Sequence, residues 1–346
     1  MKLILLEYLV CPHCTKNFTI NKKKMKEDVI VEGVLTCTKG HKFYIKNGIP
    51  RLVSDKSKDF VKTEEAFSAK WKNYNKSLHD KKWFNFQKKW FLDRFGWKPL
   101  SFKKFLNTRK FILDAGTGIG NSAKLFSENQ NSQVFAIDAS ESIDFAYRKY
   151  GKISNIHFIQ ADLRNLPFKK KFFDFICSDQ VLHHTDNTRS SFRNLTTHLQ
   201  KNGKISIYVY KKKSPLREYA DDFIREKTIE MSEKKCAEFS KDMAYLGKTL
   251  SDVKSKIKIK RDIPILGIKA GVYDVQRFIY WNFLKCFWAE DNNLERSIGV
   301  NFDWYYPKYA FRHTPEEVRK WYRNMNLKIT HFDEIESGIS VSGTKL

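Results

Sequence analysis

Glycine and acidic residues meet in one short loop near the middle of the chain, where they could hold a ligand. Residues 114–120 read Asp-Ala-Gly-Thr-Gly-Ile-Gly and directly follow the apolar residues 111–113. Glycine is needed where the chain turns sharply or where a ligand approaches the backbone. The loop is not the dinucleotide fingerprint, whose third glycine would stand at Asn121, nor a phosphate-binding loop, because it lacks Gly-Lys-Ser/Thr. The acid at its start disfavours a pyrophosphate and suits a ligand with an ammonium group.

Two more aspartates end neighbouring predicted strands. Asp138 closes the apolar segment 133–137, and Asp162 follows the segment 156–159. Ligands of open α/β sheets bind beyond the carboxyl ends of the strands, so Asp138 is expected to accept from ribose hydroxyls and Asp162 from an adenine amino group. Taken alone, the glycine loop also fits an ordinary strand–helix turn. The predicted cofactor-binding residues are Asp114, Gly116, Gly118, Gly120, Asp138, Asp162 and Leu163.

Short apolar segments alternate with amphipathic ones between residues 110 and 210, which is typical of βαβ units. Thr314 followed by Pro315 predicts the start of a helix over 315–324, with two closing strands after it. The predicted fold class is therefore α/β with a doubly wound sheet. The predicted strands are 111–113, 133–137, 156–159, 173–177, 204–210, 327–335 and 339–345, and the predicted helices before 315 are 121–128, 142–150 and 188–200.

These features resemble the class I S-adenosylmethionine-dependent methyltransferases, of the type 11 or 25 kind. The resemblance lies in the glycine loop, the two aspartates, the stretch FFDFICSDQVLHHT at 172–185, and LQKNGK at 199–204, which departs from the family pattern at Asn202. It covers residues 105–210 and extends to the last thirty. It implies a seven-stranded Rossmann-like sheet with an antiparallel final strand, S-adenosylmethionine as cofactor, and methyl transfer.

Four metal-ligating residues stand near the N-terminus in a spacing typical of zinc. Cys11 and Cys14 form Cys-x₂-Cys, and Cys37 and His41 form Cys-x₃-His. Three thiolates and one imidazole complete a tetrahedral zinc site with no open position, so the predicted metal is structural. The segment FYIKNGIPRL at 43–52 resembles the ribbon of small activator subunits of tRNA, rRNA and release-factor methyltransferases, in which a cysteine is usual at the place of His41. The alternative is a metal-free pair of hairpins with reduced thiols.

Two groups of residues are candidates for the acceptor side. His183 and His184 follow the fourth strand, where histidine could act as a base; the favoured alternative is a structural or cofactor-proximal role. The segment FDWYYPKY at 302–309, followed by His-Thr, resembles a segment that recurs in a subset of bacterial class I methyltransferases. It predicts an aromatic substrate pocket or, alternatively, a packing block. The predicted substrate-binding residues are Trp304, Tyr305 and His313.

Three units are predicted: a zinc ribbon at 1–54, a helical linker or cofactor lid at 55–105, and a methyltransferase domain at 106–346 with a helical insertion at 211–312. In the linker, Phe67, Trp71 and Tyr74 have helical spacing. No apolar run approaches the ~20 residues of a membrane span, and residues 3–10 do not form a signal peptide, so a cytoplasmic protein is expected.

The composition leaves the partner open. The net charge of +25 could mark a nucleic-acid surface, but the lysines are spread along the chain, as a biased genome would produce. The function predicted first is methyl transfer to a small molecule or biosynthetic intermediate. The alternatives are an RNA or protein methyltransferase that docks through the ribbon, and a non-catalytic scaffold of the same fold.

Overall fold

The computed structural model describes residues 1–54, 57–73, 81–291 and 293–346, so Tyr74 of the predicted aromatic helix face lies outside the described residues. The strands are β1 (Phe18–Lys26), β2 (Val29–Cys37), β3 (Lys42–Lys46), β4 (Ile49–Arg51), β5 (Phe111–Ala115), β6 (Gln133–Asp138), β7 (Ile156–Gln160), β8 (Phe173–Asp179), β9 (Leu199–Tyr210), β10 (Lys256–Ile259), β11 (Gly271–Asp274), β12 (Leu327–Glu334) and β13 (Gly338–Lys345). The helices are α1 (Lys58–Asn73), α2 (Lys81–Arg94), α3 (Pro99–Asn107), α4 (Asn121–Phe126), α5 (Ser142–Tyr150), α6 (Thr188–His198), α7 (Pro215–Thr228), α8 (Glu233–Asp252), α9 (Val275–Asn282), α10 (Leu294–Tyr305) and α11 (Pro315–Asn324).

Seven strands form the central sheet in the order β7-β6-β5-β8-β9-β13-β12. The first five are parallel, and β13 lies antiparallel between β9 and β12. The predicted doubly wound, Rossmann-like sheet with an antiparallel final strand is thereby confirmed.

Side chains of alternate residues along the central strands enter two separate cores, because successive residues of a strand point to opposite faces. Leu113 and Phe135 belong to the core on one face. Ile112 and Val134 pack on the other face, against α4 and α5. Burial on both faces explains why these strands are almost continuously apolar. It also leaves the carboxyl ends of the strands as the place where polar residues can collect.

The ribbon, residues 1–54, extends the same sheet. Its four strands continue the order as β1-β2-β3-β4, and β4 pairs in parallel with β7 at Arg51 and Gln160. The amide of Leu52 donates to the carbonyl of Gln160 at 2.7 Å, and a second seam joins the Val10 amide to the Pro167 carbonyl at 2.9 Å. The ribbon therefore covers an edge of the sheet that would otherwise be unpaired.

Arg51 ties the ribbon to α5. Its guanidinium donates to both carboxylate oxygens of Asp144, at 2.7 and 2.8 Å, and to Oε1 of Gln160 at 3.2 Å. The two side chains of the ion pair are only 17% and 21% exposed. A bidentate arginine–carboxylate pair in this partly buried position is both strong and specific in orientation.

The insertion between β9 and α11 contains α7 to α10 and an additional hairpin of β10 and β11, which was not predicted. Its β-structure pairs Ile257 with Tyr273 outside the main sheet. Within the described parts of the chain, no helix has both the length and the apolar character needed to cross a membrane.

Replacing Arg51 with glutamine should destabilise the protein by about 1–3 kcal/mol, because Asp144 then keeps a partly buried charge without its partner. Chemical denaturation followed by circular dichroism measures this change. Lys42→Gln removes the same charge from an exposed position on β3 and serves as the control. Equal stabilities of the two variants would contradict the structural role of the pair.

Candidate active site

A cavity of about 580 Å³ opens at the carboxyl ends of β5 to β8. Helices α1 and α2, the lid helices, cover it from one side, and α9 and α10 of the insertion line its far end. This is the edge at which open α/β sheets bind ligands, and the volume lies in the usual range of ligand sites.

The structure places all three predicted acids in this one cavity. Asp114, Asp138 and Asp162 line it together with Gly116 and Gly118. Gly116 has a φ of 86°, and a Cβ there would lie 2.4 Å from the side chain of Val181. Glycine is therefore required at this turn by conformation and by space. Gly120 lies outside the lining and caps α4 in the left-handed conformation.

Asp138 connects the ends of two strands. Its Oδ2 accepts from the Gly118 amide at 2.8 Å, and its Oδ1 accepts from the amide and hydroxyl of Ser140 at 2.9 and 2.6 Å. A carboxylate offers about four acceptor positions, so one remains at Oδ2. Asp138 can accept one ribose hydroxyl as it stands, and a second only when the Ser140 hydroxyl rotates away.

Asp162 is held by the neighbouring Arg164. The carboxylate accepts from the Arg164 amide and Nε, each at 2.8 Å, and Arg164 also reaches Asp186 at 3.1 Å. Leu163 lines the cavity beside it. The carboxylate is thus fixed in orientation, which suits an acceptor for an amino group on the edge of a planar base.

Asp114 is almost fully buried and lies next to two other acids. Its Oδ2 accepts from the Thr117 hydroxyl at 2.5 Å. Burial is the main cause that raises the pKa of Asp114 to about 7; the nearby charges of Asp179 and Asp138 act in the same direction, and the Thr117 hydrogen bond opposes them. A cation placed beside Asp114 would favour its charged form. The site can therefore accommodate an ammonium group.

The first lid helix lies close to the glycine loop. A Cβ at Gly118 would be 3.4 Å from the Trp71 ring, and the Phe67 ring packs edge-on against His184 with centroids 4.7 Å apart. Between them Lys70 pairs with Asp303 of α10. The helical spacing of Phe67 and Trp71 thus corresponds to one face of α1 that lies over the cavity.

The two predicted catalytic histidines have different environments. His184 lines the cavity, and its Nδ1 donates to the Tyr309 carbonyl at 2.7 Å, which leaves Nε2 with a lone pair. Burial lowers the pKa of His184 to about 4. His183 is fully buried behind it against Tyr210, and neither ring nitrogen has a hydrogen-bond partner among the described residues. Of the two histidines, only His184 lines the cavity and can contact a ligand there.

None of the three predicted substrate residues lines the cavity. Trp304 and Tyr305 are buried beneath its wall, where Trp304 packs on Tyr210 and the Tyr305 hydroxyl donates to the Lys285 carbonyl at 2.8 Å. His313 packs on Trp321 of α11. In α10 every third or fourth side chain shares a face, so the cavity face carries Asp303 while its neighbours point into the core.

Several cavity residues were missed from the sequence. Arg94 of α2 is 3% exposed and binds both oxygens of Asp179 at 2.7 and 2.9 Å. Lys285, from the segment before α10, also lines the cavity. Asp179 stands at the end of β8 in the same way as Asp138 at the end of β6, and this position was the available signal. Nothing local in the sequence distinguishes Arg94 or Lys285 from the other cations.

The four predicted metal ligands also converge. The ligand atoms of Cys11, Cys14, Cys37 and His41 all lie within 4.8 Å of one another. Nδ1 of His41 is 3.5 Å from the Cys11 sulfur and 3.3 Å from the Cys37 sulfur. A tetrahedral zinc ion with ordinary bond lengths separates its ligand atoms by roughly 3.3–3.8 Å, so the donor set and the distances fit zinc.

The sequence between β5 and β9 is similar to known proteins. Residues 113–207 match a protein family described as a methyltransferase domain. Over 107 residues the chain is 26% identical to the ubiquinone/menaquinone biosynthesis C-methyltransferase UbiE of Vibrio cholerae serotype O1 strain ATCC 39541. This match includes 29% of the present chain and 41% of the relative, so the chain spans about two fifths of the length of that protein.

Solved methyltransferase structures resemble the chain over a larger part. The structure of 1,6-didemethyltoxoflavin-N1-methyltransferase from Burkholderia thailandensis covers 88% of this chain and 95% of its own, with 11% identity and a TM-score of 0.45. A Haloferax volcanii complex of the Trm112 methyltransferase activator with a methyltransferase covers 81% of this chain and 97% of its own, with 12% identity and a TM-score of 0.42.

Lowering the pH from 7 to 5 should reduce the free energy of unfolding, because His184 resists protonation in the folded protein. Burial holds its folded-state pKa at about 4, below the unfolded value near 6.5, so the unfolded chain binds more protons as the pH falls through this interval. At pH 5 this difference between the folded and unfolded pKa of His184 lowers the free energy of unfolding by about 2 kcal/mol. His184→Asn keeps a donor for the Tyr309 carbonyl and should lose less stability between pH 7 and pH 5 than the wild type in chemical denaturation. The same loss in both proteins would be incompatible with a neutral buried His184.

Proposed function

We propose that the protein is an S-adenosylmethionine-dependent methyltransferase that acts on a small-molecule acceptor. The observation that carries this proposal is the convergence of Asp114, Asp138 and Asp162 with the glycine loop in one cavity, at the edge of a methyltransferase-type sheet. The matched methyltransferase domain supports the reaction class.

Each residue has a distinct proposed role toward the cofactor. Asp114 would attract the ammonium group, Asp138 would accept from the ribose, and Asp162 with Leu163 would hold the adenine. The cofactor supplies a methyl group already activated on a sulfonium, so the chain contributes mainly position and exclusion of water. The lid helices would serve both purposes, since Trp71 and Phe67 cover the loop and His184.

His184 is the proposed residue at the acceptor. Its Nε2 lone pair can accept a hydrogen bond from an acceptor O–H, N–H or acidic C–H group. With a pKa of about 4 it is a weak base, suited to orienting an acceptor or to taking a proton from an acidic one.

A small-molecule acceptor is supported by two independent facts. The curated relatives of the domain are named as C-methyltransferases of ubiquinone and menaquinone biosynthesis. The cavity is walled by aromatic side chains from the lid helices and the insertion, including Trp83, Trp281 and Phe287. Such a site buries an organic molecule better than a polymer chain.

An RNA or protein acceptor is the second candidate. It is favoured by the lysine-rich strand β1 of the ribbon, whose residues 22–26 are all exposed. In that function the ribbon would dock the polymer by charge.

The ribbon would carry a structural zinc ion on Cys11, Cys14, Cys37 and His41. All four positions of the tetrahedron are filled by protein atoms, so the metal would stabilise and would not react. Three thiolate ligands need a reducing compartment, which supports the proposed cytoplasmic location.

Replacing Asp138 with alanine should weaken binding of S-adenosylmethionine by about 10- to 100-fold, because a hydrogen bond to a charged group is lost and the glycine loop loses its anchor. Isothermal titration calorimetry measures the affinity. Asp93→Asn, at an exposed position on α2 outside the cavity lining, is the control. Unchanged affinity in Asp138→Ala would refute its ribose role, and no binding by the wild type would favour the scaffold alternative.

The class of acceptor needs a separate experiment. When the wild type binds the cofactor, it is incubated with labelled cofactor and a cell extract. Fractionation of the extract then shows whether the label is on small molecules, RNA or protein.

Replacing His41 with alanine should lower the zinc content below one ion per chain and lower the melting temperature. His13 is exposed and stands inside the first Cys-x₂-Cys, so His13→Ala is a matched control that should retain the metal. Elemental analysis and thermal unfolding with and without a chelator provide the measurements. A wild-type protein purified without zinc, with a melting curve indifferent to chelator and added zinc, would exclude the metal site.

A further inference from the structure

A buried lysine at the far end of the cavity has no carboxylate partner among the residues that the structure describes. Lys285 is only 5% exposed, and it lines the cavity. Its Nζ donates to the Tyr280 hydroxyl at 3.1 Å and lies 4.8 Å from the centroid of the Trp304 ring. In the described part of the chain, no carboxylate oxygen lies within ion-pair distance of this ammonium group. Buried charges are normally paired, so Lys285 requires an explanation.

The nearest acids do not supply the missing charge, because each is paired with another cation. Asp303 is bound by Lys70, and Asp221 is bound by Arg217 at 2.7 Å. Lys285 helps to lower the pKa of both carboxylates electrostatically, but each carboxylate already has its own cation as an ion-pair partner. Among the described residues, the Lys285 ammonium group is therefore left without a carboxylate of its own.

A second cation stands at the same end of the cavity. Arg277 of α9 lines it, and its guanidinium carbon lies 5.9 Å from the Tyr280 ring centroid and 5.8 Å from that of Phe287. Lys285 lies 5.2 and 5.9 Å from the same two rings. The carboxylate partner of Arg277 is Glu290, whose side chain is 89% exposed. A pair open to solvent in this way holds its arginine only weakly.

We propose that this end of the cavity is an anion subsite, and that the methyl acceptor carries a carboxylate, phosphate or sulfonate group on an aromatic or other flat apolar body. Lys285 and Arg277 bind the anion, and the rings of Tyr280, Trp281 and Phe287 bind the body. This inference rests on the proposed function for the identity of the ligand as the methyl acceptor. The subsite itself rests only on the positions of the two cations and the rings.

A matched pair of fluorescent probes tests the subsite. Anilinonaphthalene-1-sulfonate and N-phenyl-1-naphthylamine share an aromatic skeleton, and only the first carries an anion. They are titrated into the protein of residues 1–346 saturated with S-adenosylhomocysteine, and the dissociation constants are compared. The wild type should bind the anionic probe at least about tenfold more tightly than the neutral one, as expected for a hydrogen-bonded charge pair.

Two substitutions at one position separate charge from packing. Lys285→Met should abolish the preference for the anionic probe while keeping affinity for the neutral one, and Lys285→Arg should retain the preference. Lys241→Met, which removes a lysine of α8 outside the cavity lining, should behave as the wild type and reports probe bound elsewhere on this basic surface. Thermal unfolding verifies that each variant is folded. If Lys285→Met does not fold, the preference of Lys285→Arg for the anionic probe decides whether the subsite exists.

Three results would overturn the subsite: equal affinity of the wild type for both probes, an undiminished preference in Lys285→Met, or weaker S-adenosylhomocysteine binding in Lys285→Met. The last would assign the lysine to the carboxylate of the cofactor instead of the acceptor. Failure of the proposed function is separate, because it appears as absence of cofactor binding, and the probe comparison can then be made on the protein without cofactor.

Discussion

The hydrogen bond from the Gly118 amide to the Asp138 carboxylate joins the two turns from which the cavity is built. The amides of Gly116 and Thr117 donate to the Ile137 carbonyl at 2.9 and 2.8 Å, so the loop after β5 is bound to the end of β6 at three points. These contacts are possible only because glycine can adopt the left-handed conformation beside Val181. The position of Asp114, and the approach of Trp71 over the loop, both follow from this arrangement.

The ribbon reaches the same region through a short chain of contacts. Arg51 donates to Gln160, and Nε2 of Gln160 donates to the Ala139 carbonyl at 2.8 Å, one residue beyond Asp138. The ribbon therefore supports the second strand–helix turn of the site in addition to covering the sheet edge. A small unit with little core of its own gains stability from this junction, and a metal ion would add to it.

Local signals in the sequence account for the parts that could be predicted. Thr314 and Glu317 form a capping box at the start of α11, and the apolar segments of the central strands coincide with β5 to β8, because in both cases neighbouring residues decide the structure. The convergence of three acids follows from a topological rule for parallel sheets. No comparable rule predicts which residues of the insertion line the far end of the cavity. Trp304 and Asp303 are adjacent in sequence, and only the rotation of α10 decides that Asp303 lines the cavity while Trp304 is buried.

The opposite charges at the two ends of the cavity bear on how two ligands would be arranged within it. At the sheet edge Asp114, Asp138 and Asp162 favour a ligand that is cationic or rich in hydrogen-bond donors, and burial of Asp114 makes a nearby cation especially effective in restoring its charge. At the far end Lys285 and Arg277 favour an anion. An acceptor held by its anion there must extend its other end toward the acids, past His184 and the lid helices. The two charged ends of the cavity would then place the reactive end of the acceptor beside a sulfonium held at the strand ends. Methyl transfer requires this positioning.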